Sequence, residues 1–206
     1  MAMPQGENMD FSKAFYALMA DEGLWHLEHD PRDPGGETWS GISRKNHPRW
    51  DGWSLIDQAK ADGVSVTRHR NFERIKALTE KFYEDTFWLP LDCDKLPDGL
   101  AYELFEQAVN LGISRTTYYL QLTLNCLNKP LQNGAKEFGS DLVVDKAYGP
   151  ATRNRLLAIV EKGRAQAVQN GINGLQAAWY INLGTKNISR RVFTNGWLSK
   201  RGRGSI

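Results

Sequence analysis

Apolar residues recur at helical spacing along most of the chain. Phe11, Ala14, Phe15, Leu18 and Met19 form one such face behind Asp10 and Ser12, both suited to cap a helix start, and the pattern stops at Asp21-Glu22-Gly23. From His29 to Gly41 the periodicity is lost. Asp30-Pro31, Asp33-Pro34 and Gly35-Gly36 are turn signals, and Thr38 to Ile42 is expected to form one short strand. A stretch irregular from Asn46 turns helical around Leu55, Ile56 and Ala59. Phe72, Ile75, Thr79, Phe82 and Tyr83 then mark a long amphipathic helix running toward Trp88.

After turns at Leu89-Pro90 and Leu96-Pro97, Leu100, Leu104, Phe105, Ala108 and Val109 predict a helix ended by Asn110-Leu111-Gly112. Ser114 is expected to cap the next, which carries Leu120, Leu124 and Leu127. Residues 128–147 read as a polar connection with a hairpin around Leu142-Val143-Val144. Pro150 opens a further helix through Leu156, Leu157 and Val160, closed by Gly163. Ala165, Val168, Ile172, Leu175, Trp179 and Leu183 predict the last one, closed by Gly184. The class is mainly α, with at most a small sheet near residues 38–68.

Composition changes this picture in three ways. At 206 residues the chain can bury a core without disulfide or metal staples, and 41% hydrophobic and 24% charged residues exclude wholesale disorder. The net charge of +2 hides an asymmetry: residues 151–206 hold ten Lys or Arg and one acid, Glu161, for +9, which leaves −7 upstream. A basic C-terminal third suits an anionic surface such as cell-wall polymer, lipid headgroup or nucleic acid, or is simply a set of solvated helix faces. Cys93 and Cys126 lack any Cys-x-x-Cys or histidine partner pattern, so two buried thiols, or else a single disulfide, are expected rather than a zinc site. His26, His29, His47 and His69 likewise show no metal-ligand spacing. No secretory signal is visible in residues 1–10, and no apolar run is long enough for a membrane span.

The candidate chemistry lies where the first helix ends. Glycoside cleavage usually needs two carboxyl functions, one of them protonated near neutral pH. Glu22 falls at a predicted helix C-terminus, whose carbonyls disfavour an anion, and Leu18, Met19, Leu24 and Trp25 offer apolar burial. Asp33 and Thr38 follow after an acid-rich turn, so a second carboxylate and a hydroxyl can be brought across from Glu22. Gly35-Gly36 permits close backbone approach to a sugar. A solvated or calcium-like acidic loop is the competing reading of the same residues.

The stretch Glu22-Gly23-Leu24-Trp25, then Asp33-Pro34-Gly35-Gly36-Glu37-Thr38 and Gly41-Ile42, resembles the signature of glycoside hydrolase family 108, the peptidoglycan muramidases of phage endolysins and bacterial lysis or secretion-assisting proteins. Further matches run in order: Phe82-Tyr83 through Trp88-Leu89-Pro90, Asp94 to Pro97, Phe105 to Gly112, Asp145 to Thr152, and Phe193-Thr194-Asn195-Gly196-Trp197. Leu24 and Lys146 stand where the family pattern has glycine, and residues 128–142 read as an insertion.

The resemblance implies a lysozyme-like globular domain with a catalytic part over 1–112 and a helical, peptidoglycan-binding part over 113–206. It implies that Glu22 is the catalytic acid, supported by Asp33 and Thr38, and that the bond cut is the β-1,4 link after N-acetylmuramic acid. Neither cofactor nor metal is expected. Trp39, beside Thr38, is the expected sugar-stacking platform. Asn110 is either a substrate contact or a local cap, and Tyr148 either lines the cleft or staples the turn before Pro150. The expected partner is the peptidoglycan glycan strand, met by a monomer, with no nucleic acid and no stable membrane insertion; the basic third is available to an anionic envelope surface. A protein of this kind is made in the cytoplasm and meets the wall after release or assisted export. The rival reading is a non-catalytic protein that holds cell wall, or a partner protein, with a lysozyme-like shell.

Overall fold

The computed structural model describes residues 10–21, 25–29 and 36–201. The chain divides into two compact units, Phe11–Thr86 and Phe87–Ile206.

The first unit holds α1 (Phe11–Asp21), β1 (Leu27–His29), β2 (Glu37–Trp39), β3 (Ile42–Ser43), α2 (Gly52–Ala61) and α3 (Phe72–Tyr83). The strands form one antiparallel sheet in the order β1-β2-β3. The sheet thus starts upstream of the stretch where strands were expected, and residues 52–61 and 66–68 are helical instead. The single strand expected over 38–42 is a hairpin. Ser40 and Gly41 both take positive φ, 43° and 85°, as a two-residue turn that matches strand twist requires. Gly41 is obligatory there for a second reason: a Cβ would lie 2.4 Å from the Tyr83 hydroxyl. That hydroxyl donates to the Ser40 carbonyl at 2.9 Å and fastens the hairpin to α3.

The core of this unit is aromatic. Phe15, Trp39 and Ile42 are fully buried, as are Ile56 and Ile75, and Trp25 stacks on Trp39 at 6.5 Å. Trp53 packs edge-on against Trp50 and donates to the His47 carbonyl, so this tryptophan pair serves packing.

The second unit carries α4 (Asp98–Leu111), α5 (Ile113–Cys126), α6 (Pro150–Glu161), α7 (Ala165–Lys186) and α8 (Arg191–Arg201). Helix α7 packs on α4, α5 and α8. Its buried stripe differs from the expected one. Gln169, Asn173, Gln176 and Tyr180 are buried, whereas Leu175, Trp179 and Leu183 are partly exposed. These polar groups meet Glu103, Glu106 and Gln107 of α4: Gln107 donates to Asn173 at 3.1 Å, Gln176 to Glu106 at 3.2 Å, and Gln169 to Glu103 at 3.4 Å. Burying polar groups is tolerable because the three amides find polar neighbours on the facing helix and Tyr180 accepts from Gln176 of its own helix.

Gly184 does not close α7. A Cβ at this position would come within 2.9 Å of the Thr194 hydroxyl, so its absence allows α8 to approach. The hairpin expected around 142–144 is absent: that segment is irregular, and the pairing seen in 128–147 is an isolated bridge between Pro130 and Lys136. Both cysteines are free, but only Cys93 is buried; Cys126 is exposed, contrary to expectation. No helix among the described residues is long and apolar enough to cross a membrane.

Candidate active site

Helix α1 ends at Asp21 with no basic residue in its last turn, so its own sequence supplies no cation to the negative end of the helix. Glu22 is the next residue in the chain. Glu22 and Asp33 both lie outside the described residues.

Thr38 is described, at the centre of β2. It pairs in register with Glu28 of β1 and with Ser43 of β3. Side chains alternate along a strand and cross-strand partners share a face, so Thr38 and Glu28 lie on one face, while Glu37 and Trp39 lie on the other. The Glu28 side chain is 66% exposed and its Oε1 is 2.9 Å from Nε2 of His26. Glu37 is held by ion pairs with Arg44 and Lys60, and Arg44 in turn makes a two-pronged contact with Asp57. Glu37 is therefore committed to the sheet's far side. The structure brings Thr38, Glu28 and His26 to one sheet face, and it is strand register that singles Glu28 out.

Trp39 is not a sugar platform. It is 0% exposed, and its indole N–H donates to the Thr79 hydroxyl at 3.0 Å, which itself donates to the Ile75 carbonyl at 2.8 Å. A stacking platform must offer an open ring face, and none is left. Period-two alternation gives the reason: anchoring Trp39 in the core is what turns Thr38 the other way.

The remaining two expected residues belong to the second unit. The Asn110 amide reaches back along its own helix, donating to the Glu106 carbonyl at 2.8 Å and to Glu106 Oε1 at 2.7 Å. This is the local arrangement among the two alternatives. Tyr148 is half-buried. Burial and the nearby Asp92 carboxylate push its phenol well up, so the hydroxyl stays protonated. Asp92 is itself buried, which would raise its carboxyl, but Lys95 at 2.6 Å and Arg153 at 2.5 Å outweigh this and hold it below the usual range.

The motif Asp145 to Thr152 gains a structural meaning. Gln121 of α5 is buried and its amide donates to Asp145, to the Ala147 carbonyl and to Thr152, while its oxygen accepts from the Lys146 N–H. Lys146 adopts φ 67°, a left-handed conformation, at the position where glycine was expected by resemblance.

Residues 15–112 match the family described as glycosyl hydrolase 108, and residues 128–202 match the predicted peptidoglycan domain. Among solved structures, that of Brucella abortus SagA is similar, with 25% sequence identity and a TM-score of 0.58 over 94% of this chain and 90% of that one. No curated protein matches the chain.

Proposed function

We propose, for a chain that belongs to glycosyl hydrolase 108 over residues 15–112 and continues into a predicted peptidoglycan domain, that it hydrolyses the β-1,4 bonds of peptidoglycan as an N-acetylmuramidase. The observation that carries this reading is the span of the first match. It covers Glu22, Asp33 and Thr38 in order, and it includes the sheet on which Thr38 stands apart from the buried Trp39 face.

In this reading Glu22 gives its proton to the leaving glycosidic oxygen as the bond to the muramic carbon breaks. Its position after the last turn of α1, next to Asp21, favours the neutral acid that this step needs. Asp33 supports the positive charge that develops on the sugar ring, and Thr38 orients the water that completes the hydrolysis. Glu28, in register with Thr38, is the further carboxylate on that face. Residues 1–112 are the cutting part and 113–206 the wall-holding part, with the basic C-terminal third available to an anionic envelope surface.

Mass spectrometry of digested sacculi tests the bond. Products ending in a reducing N-acetylmuramic acid support the proposal. A reducing N-acetylglucosamine end, free stem peptides, or retention on sacculi without any release contradicts it.

A further inference from the structure

A cavity of about 760 Å³ opens in the second unit between the irregular segment 138–147 and α6. One wall is Arg155, which is 9% exposed. Its Nη2 donates to the carbonyls of Phe138 at 2.7 Å and Ser140 at 2.8 Å. Its Nη1 is buried and meets no acceptor. No carboxylate among the described residues lies within ion-pair distance of Arg155. Arg155 lies 5.7 Å from the Phe138 ring centroid and its charge helps to lower the Asp141 carboxyl, but the buried Nη1 donor is left unmet, and such a donor is costly until an acceptor reaches it.

The two acids of the cavity lining are already engaged. Asp141 accepts from Lys136 and from Asn128. Asp145 accepts from the Gln121 amide and from the Ala147 N–H. Apart from Gln121 and Asn154, the rest of the lining is small or apolar, with Leu142, Val143, Ala147, Pro150 and Ala158 forming a surface for a short chain. Val143 is 78% exposed.

We propose that this groove binds a peptide stem of peptidoglycan by its free carboxylate, received on Arg155. A carboxylate oxygen can accept the unmet Nη1 N–H in a charge-assisted hydrogen bond, and the apolar part of the lining accommodates the alanine-sized side chains that precede it. The groove lies inside the stretch that matches the predicted peptidoglycan domain, and the inference rests on the peptidoglycan-directed reading of the chain.

The test is binding of a synthetic stem tetrapeptide to the full chain, compared with the same peptide amidated at its C-terminus, by isothermal titration. The acid form binds, and the amide binds roughly tenfold or more weakly, as expected for loss of one charge-assisted contact. Arg155 also ties segment 138–140 to α6, so its removal risks the fold. Val143 supplies the safer variants: Val143→Asp places a like charge in the groove and weakens binding of the acid form, whereas Val143→Lys does not. Equal affinity for acid and amide, no binding of either, or indifference to Val143→Asp overturns the proposal. If the protein still releases muropeptides from sacculi while the tetrapeptide fails to bind, the groove assignment falls alone. Binding without release leaves the groove standing and removes the hydrolase reading.

Discussion

The indole nitrogen of Trp39 lies 3.0 Å from the hydroxyl oxygen of Thr79, and this one hydrogen bond fixes which way β2 faces. With Trp39 locked against α3, its neighbour Thr38 is committed to the opposite face, in register with Glu28. The residue best suited by type to stack on a sugar is thereby a structural anchor for the residue proposed to orient the attacking water.

Trp39→Phe is expected to destabilise the protein by about 2 kcal/mol, through a lost buried hydrogen bond and a partly filled cavity. Affinity for purified sacculi should not change. Chemical denaturation and a sacculus pull-down measure the two effects separately. Wall affinity lost at full stability would restore Trp39 as a platform.

Tyr83→Phe removes the hydroxyl that holds the Ser40 carbonyl. The expected cost is about 1 kcal/mol of stability, with a fall in turnover no larger than that of Thr38→Ala. Thermal melts and reducing-end assays of the two variants give the comparison; a Tyr83→Phe variant less active than Thr38→Ala would place the hydroxyl in the chemistry itself.

Burial pushes the Glu103 carboxyl above its usual range, against the weaker opposing effect of its amide neighbours on α7. A folded-state value above the unfolded one means that the group favours folding in acid. This contribution is complete below the unfolded value, near pH 4.3, and is lost as pH rises through the folded one. Glu103→Gln should therefore be more stable than the parent at pH 7 and should flatten this part of the pH profile. Denaturant midpoints of both proteins between pH 4 and 8 provide the test, and a less stable variant at pH 7 contradicts it.

Burial also pushes the Cys93 thiol up, while Cys126 is exposed. At pH 8 a maleimide should modify Cys126 and leave Cys93 intact in the folded protein. Peptide mapping reads the site, and labelling of both would show that Cys93 is reachable.

Several helices were legible because they bury an apolar stripe of the right period and stop beside a glycine. α4 and α6 illustrate this: Leu100, Leu104 and Phe105 in one, and Leu156 and Ile159 in the other, are all buried. What misled was packing that reverses the meaning of a residue type. Gly184 looked like a helix end but is a contact point for α8, and Gln169 and Gln176 of α7, which the predicted apolar stripe left out, are buried against the carboxylates of α4. Trp39 misled for the same reason, since a large aromatic beside a polar loop reads equally as core or platform until register is known. Thr38 was found by its place in a motif, whereas Glu28 needed the pairing of β1 with β2. Arg155 carried no signal, because a lone arginine on a helix gives no hint that a cavity will form beside it.

The central claim is that the carboxyl group of residue 22 delivers the proton on which cleavage depends. Glu22→Gln keeps the shape of the side chain and removes the acid. Release of reducing ends from purified sacculi by this variant, with its circular dichroism matched to the parent, is the direct measurement. A drop of about 10²–10⁴ in rate is the predicted result. Release at the parent rate from a folded Glu22→Gln protein would contradict the account.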